Sequence, residues 1–306
     1  MPPRDATGML VTIRQEMLDS AARGGASLPE AHTVAASIRT RRAVDGGFAA
    51  RDGAGDLYYT VFALQTLCAL GALPDDDVAG YLDGFGAGES LDFVHLCCLI
   101  RCRAIAGVAP SDQEREAMLR RLAGFRSADG GFAPAPGASR GTAYAVFLAV
   151  GAIQDLSARL ERPDELAGAL SALATGDGGY ANAADLPVAS VPATAAAMTA
   201  LRHLGEAVPK SRVAWLRAAQ GANGAWGAVA ASPSDLLSTA VALHALAPNG
   251  LQADHTTRCC RQFLCACRRT DGGFAATPDG NESDVEYTFY ALLALGHLTG
   301  AVASAP

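Results

Sequence analysis

Asp45-Gly46-Gly47-Phe48, Asp129-Gly130-Gly131-Phe132, Asp177-Gly178-Gly179-Tyr180 and Asp271-Gly272-Gly273-Phe274 are four copies of one turn. Two looser copies, Asp83-Gly84-Phe85 and Asn223-Gly224-Ala225-Trp226, complete a series anchored at 45, 83, 129, 177, 223 and 271. The anchors stand 38, 46, 48, 46 and 48 residues apart. A period of this size marks a repeat architecture. Paired glycines suit a reversal that needs positive φ, and the aromatic after them can plug the gap between neighbouring helices. A helical stretch with a charged face precedes the turn, as in Ser111–Phe125, which carries Glu114, Arg115, Glu116, Arg120 and Arg121, or in Ser211–Ala219. A second helix follows it, apolar nearly all round. These second helices are Asp56–Leu70, Leu91–Ile105, Thr142–Ile153, Ala193–Leu204, Asp235–Leu246 and Asp284–Leu298. Apolarity on every face marks burial.

The fold expected is therefore all-α, an α6/α6 toroid. Charged helices form its outer ring, and apolar helices form an inner ring around a central apolar cavity. Six copies can close on themselves and leave no exposed end. Residues 1–30 read as an added N-terminal helix and a flexible Gly/Ala stretch, and residues 31–306 as the toroid.

Bulk composition excludes several classes. The net charge of −7 argues against nucleic acid and against an anionic membrane surface. Lys210 is the only lysine. No run approaches the roughly 20 apolar residues of a membrane span. Arg4, Asp5, Arg14 and Glu16 interrupt the N-terminus where a signal peptide would be apolar, so a cytoplasmic protein is expected. The eight cysteines fit reduced thiols better than a disulfide framework, and those at 259, 260, 265 and 267 lack the spacing of a structural zinc site.

Asp56, Asp92, Asp235 and Asp284 open four of the apolar helices. One reading is N-capping, where a carboxylate accepts the first free amides. The other is that inner-helix N-termini ring one mouth of the cavity, so that these carboxylates face a ligand. Both can hold at one position.

The repeats resemble the prenyltransferase/squalene-cyclase superfamily, which includes the β subunits of protein prenyltransferases and the class II terpene cyclases. The likeness runs over roughly residues 30–300. Trp215-Leu216, then Gln220, then Gly224-Ala225-Trp226 is similar to the cyclases' QW motif. The resemblance implies a toroid whose cavity takes an isoprenoid substrate, and its prenyltransferase side implies a partner subunit. Fold alone does not settle the reaction.

On the prenyltransferase side, the family holds a catalytic zinc through an Asp-x-Cys pair and a His. Asp56 and His95 match two of those ligands, but Tyr58 stands where the Cys would be, so Cys97 or Cys98 would have to supply the thiolate. Arg51 matches an arginine that helps to hold the diphosphate, and Arg140 is the other cation in a loop entering an inner helix. On the cyclase side, Asp284-Val285-Glu286-Tyr287-Thr288 resembles the Asp-x-Asp-Asp-Thr motif. Glu286 falls where the family's proton donor sits, Asp284 and Thr288 match the flanks, and Tyr287 replaces the second acid of the pair. No metal or other cofactor is needed for that reaction. Protonating an alkene needs a carboxylic acid kept from water. A helix N-terminus favours the carboxylate, whereas burial and the charge of Asp284 oppose it.

Tyr58, Tyr59, Phe62, Phe93, Tyr144, Phe147, Tyr287, Phe289 and Tyr290 sit on inner helices. They can stabilise carbocations with their faces, or simply pack the core. The leading expectation is cyclisation started by protonation. Prenyl transfer comes next, and a non-catalytic isoprenoid-binding toroid is the third reading.

Overall fold

The computed structural model describes residues 2–5, 7–50, 53–73, 77–251 and 254–303. In chain order its helices are α1 (Ile13–Ala26), α2 (Ala31–Arg39), α3 (Leu57–Ala69), α4 (Asp77–Asp83), α5 (Phe93–Ala106), α6 (Asp112–Ala123) and α7 (Ala143–Asp155). They continue as α8 (Pro163–Ser171), α9 (Val191–Leu204), α10 (Lys210–Ala218), α11 (Leu236–Leu246), α12 (His255–Ala266) and α13 (Val285–Ala303). Two short strands, β1 (Ala181–Ala183) and β2 (Leu186–Ala189), pair antiparallel in the loop before α9. This hairpin is the one departure from an all-helical chain among the described residues.

The chain divides into two compact units, Met1–Glu16 with Asp76–Arg212, and Met17–Asp75 with Val213–Pro306. In the first, α5, α7 and α9 pack side by side, with α6 and α8 against them. In the second, α13 packs between α11 and α3, with α12 on α13 and α2 on α3. The first and last apolar helices, α3 and α13, are thus neighbours, the contact that closing a series of repeats requires. The central helices read as apolar nearly all round because they are covered on most sides. Leu57, Leu64 and Leu67 of α3 and Phe289, Leu292 and Leu293 of α13 are at most 2% exposed.

The Gly-Gly turn fixes where each central helix begins. Gly46, Gly130, Gly178, Gly224 and Gly272 all have φ between +75° and +105°. The acidic or amide residue before them accepts from the backbone beyond, as Asp45 does from Gly47 N at 3.0 Å and Asn223 from Ala225 N at 3.2 Å. The aromatic then ties the loop to the next helix. Its carbonyl accepts from the amide of the cap residue in five repeats, from Asp56, Thr142, Ser190, Asp235 and Asp284. In four of these repeats its amide also donates to a threonine one turn into the helix. Phe48 N meets Thr60 Oγ1, Tyr180 meets Thr194, Trp226 meets Thr239 and Phe274 meets Thr288, all at 2.9–3.0 Å. The copy at Asp83-Gly84-Phe85 departs from this plan. Gly84 is not left-handed there, and Gly86 and Gly88 carry the positive φ instead.

The Gly/Ala stretch near the N-terminus is helical rather than flexible, because α1 runs through Gly24, Gly25 and Ala26. Those glycines permit close packing within the second unit. A Cβ on Gly24 would lie 1.9 Å from the Leu292 carbonyl oxygen, and one on Gly296 would lie 1.7 Å from that of Ser20. In sequence, the same glycines look like a linker. No described helix is long and apolar enough to cross a membrane.

Candidate active site

Three helix N-termini of the second unit carry the acidic residues singled out in the sequence. Asp56 caps α3, accepting from Tyr58 N at 2.7 Å and Tyr59 N at 3.4 Å. Asp235 caps α11, accepting from Ser238 N at 2.7 Å and Ser238 Oγ at 2.8 Å. Asp284 precedes α13 and accepts from Glu286 N at 2.8 Å. Each is a cap of the expected kind.

Glu286 does something else. It lies in the first turn of α13, half-buried, and Tyr58 of α3 donates a 2.8 Å hydrogen bond to its Oε1. Burial pushes the Glu286 carboxyl above its ordinary value. The Tyr58 phenol pulls it down and the Asp284 carboxylate pushes it up. Burial therefore outweighs the helix terminus, and Glu286 retains its proton to higher pH than a free glutamate. Burial also raises Asp235, against the hydrogen bonds from Ser238, so two acids of this corner are shifted in the same direction. Tyr287 is raised too, first by burial and then by Glu286, Asp284, Asp235 and Tyr59. That set of influences places three carboxyl groups and two phenols in one neighbourhood.

Aromatic rings adjoin the acid. Tyr58 packs edge-on to Tyr59 (centroids 5.5 Å apart) and to Phe62 (5.1 Å). Phe62 in turn meets Tyr290 at 5.5 Å and Phe289 at 6.1 Å. Of the residues expected at the site, Glu286, Asp284, Tyr58, Tyr59, Phe62, Tyr287 and Tyr290 thus share one corner of the second unit.

The other candidates fare differently. Arg51 lies outside the described residues. Thr288 matches the end of the cyclase-like motif, yet its hydroxyl receives Phe274 N and donates to the Asp284 carbonyl at 2.6 Å. Thr60, Thr194 and Thr239 accept the amide of their own aromatic in the same way, so this bond of Thr288 belongs to the repeat. In the first unit, Phe93 is 1% exposed, packed on Phe125 (5.2 Å) and stacked on Phe132 (6.4 Å). Its faces are covered, and it is a core residue. Tyr144 is 41% exposed and stacks on Phe147 at 6.5 Å. Arg140 is exposed in the loop before α7.

Asp56 belongs to the second unit and His95 to the first. Asp92 caps α5 and holds the His95 ring through Nδ1 at 2.8 Å. Among the described residues no three His, Cys, Asp or Glu side chains converge as a metal site would require. Burial drives the Cys97 thiol well above its usual range, which disfavours the thiolate zinc needs. The described residues matched to the family's ligands, Asp56, His95 and Cys97, do not assemble a zinc centre.

Sequence reasoning missed the Tyr58–Glu286 bond, which joins residues 228 positions apart. Closure of the repeat series offered a signal, since it makes the first and last central helices neighbours.

The family model for the prenyltransferase alpha-alpha toroid domain matches residues 15–161 and 109–304. The chain belongs to this family. Solved toroids share its fold. A variant of the type II terpene cyclase MstE from Scytonema, in complex with geranylgeranyl dihydroxybenzoate, aligns with a TM-score of 0.61 at 15% identity, covering 94% of this chain and 98% of that one. Protein geranylgeranyltransferase-I of Candida albicans, complexed with GGPP, gives a TM-score of 0.61 at 13% identity, over 92% of this chain and 89% of the other. A protein from Actinoplanes gives 0.54 at 16% identity, over 93% and 99%. No curated protein matches the sequence. For this toroid chain, function rests on its own side chains.

Proposed function

We propose that this toroid protein is an isoprenoid-processing enzyme that starts cyclisation of a polyprenyl chain by protonation, with Glu286 as the proton donor. One observation carries the reading: a half-buried glutamate, its carboxyl raised above the ordinary value by burial, sits beside a cluster of tyrosine and phenylalanine rings. The Glu286 hydroxyl hydrogen passes to one carbon of a double bond, leaving a cation on the other. Neighbouring double bonds donate electron pairs in turn to close rings, and loss of a proton ends the cascade. Tyr58 orients the acid through Oε1. The Asp284 charge opposes ionisation of Glu286 and so keeps the donor loaded. The rings of Tyr58, Tyr59, Phe62 and Tyr290 offer π faces to the migrating cation. That two solved toroids of this fold hold geranylgeranyl dihydroxybenzoate and GGPP supports the choice of an isoprenoid substrate.

The test is incubation with squalene, geranylgeranyl dihydroxybenzoate and geranylgeranyl diphosphate, followed by product analysis. Cyclic products from wild type that vanish in Glu286→Gln support the assignment. Identical products from both would remove Glu286 from the mechanism. Release of diphosphate with transfer of the chain to a thiol would move the protein to the prenyltransferase side. Binding without turnover, equal in both forms, would leave a carrier.

A further inference from the structure

The first unit contains a cavity of about 320 Å³ built from the end of α5, the start of α6, the end of α7 and Arg14 of α1. It shares no residue with the Glu286 corner. Three arginines line it: Arg14, Arg103 and Arg115. Much of the remaining wall is apolar, from Ile100, Met118 and Leu156.

The arginines are differently placed. Arg14 directs its Nε to Asp155, 2.8 Å away, and Arg101 holds the other oxygen of that fully buried carboxylate. Arg115 is half-exposed, and its side chain has no bonding partner among the described residues. Arg103 has a side chain only 3% exposed. One terminal nitrogen reaches the carbonyls of Gly86 at 3.2 Å and Leu82 at 3.5 Å, and lies 3.6 Å from the carboxylates of Asp83 and Glu114. Its Nε is buried without an acceptor. Leaving a charged donor unsatisfied in the interior is costly, and an oxygen in the cavity would remove that cost.

We propose that this cavity binds a small organic monocarboxylate with an aliphatic body, its head between Arg103 and Arg115 and its body on the apolar wall. A single charge is favoured over a multiply charged phosphate. Two helices present their C-terminal carbonyls here, and helix C-termini oppose anions. The carboxylates of Asp83 and Glu114, each 3.6 Å from Arg103, already offset part of its charge. The volume lies at the small end of ligand pockets and suits a short acid.

Isothermal titration of the full-length protein at low salt, with octanoate, octanol and inorganic diphosphate as probes, tests the proposal. Octanoate is expected to bind in the sub-millimolar range, more weakly as salt rises. Arg115→Ala weakens it about tenfold, the loss of one charge-assisted hydrogen bond. Ala104→Phe, which fills the cavity without touching a charge, abolishes it. Equal octanoate affinity in wild type and both variants places the ligand elsewhere and overturns the proposal. So does octanol binding as tightly as octanoate, diphosphate binding more tightly, or no octanoate binding at all. Thermal melts of both variants show whether they remain folded, and a loss of binding counts only in a folded variant. If either variant unfolds, Arg115→Gln replaces it, with the same tenfold expectation.

Discussion

Glu16 and Glu286 are the same residue in two units of one chain, and their surroundings move their carboxyl groups in opposite directions. Both lie substantially out of water, so burial raises both. At Glu16, bonds from His203 at 3.1 Å and from both terminal nitrogens of Arg202 at 2.6 and 2.7 Å overcome it and hold the carboxyl far below its ordinary value. At Glu286 the partners are a phenol and a second carboxylate, and burial prevails. Burial is common to both, and the sign of the neighbouring charge decides which way each carboxyl moves. Glu16 is built into an ion pair, whereas Glu286 meets no cation among the influences on it.

The largest expected effect sharpens this division. Glu286→Gln should lower turnover of a cyclisable substrate by about 10³-fold, in the range for removal of a general acid, and leave the fold intact. Glu16→Gln should do the reverse. It leaves Arg202 facing a neutral amide in a site only 18–21% exposed, and should cost about 2–3 kcal/mol in denaturant melts. If Glu286→Gln destabilises the protein as much as Glu16→Gln, the two glutamates are alike and the comparison fails.

The pH dependence separates them next. Glu16 has a depressed folded value, so its stabilisation is present above about 4.5 and is lost as pH falls through the folded value. His203 is lowered by burial despite Glu16, so its contribution is present above 6.5 and shrinks as pH falls below that. Glu286 is raised, so its contribution is complete below 4.5 and is lost as pH climbs through its folded value. Thermal melts from pH 4 to 8 should show Glu286→Gln matching wild type at the acid end and gaining stability towards pH 8. The smallest effect is from Tyr58→Phe. Removing the phenol takes away an influence that lowers Glu286, so the alkaline limb of the rate profile should move to higher pH, with turnover reduced less than about tenfold. A downward movement would mean that Tyr58 does not act on the ionised acid.

Much of this architecture was legible because a local chemical need recurs. Five of the six turns read from the sequence, caps at Asp56, Asp92, Asp235 and Asp284, and apolar central helices all follow from nearest-neighbour rules, and the structure contains them. What stayed hidden depends on the third dimension. The glycines at 24 and 25 resemble a linker until the backbone of Leu292 is seen beside Gly24. Phe93 resembles a cavity residue until Phe125 and Phe132 cover it. Tyr58 resembles a failed zinc ligand, although its hydroxyl serves Glu286. Thr288 resembles part of an acid motif, although three other repeats use the same hydroxyl for the same backbone bond.

That threonine has a consequence for how the chain tolerates change. In four repeats the aromatic residue is secured at two points, its amide to a threonine and its carbonyl to the amide that opens the helix. The segment bridging those points takes part in neither of these two bonds, and at 181–189 it has already accommodated a hairpin. These bridges are therefore natural grafting sites, where foreign peptides or recognition loops could be spliced in while the acid at the head of α13 stays where it is.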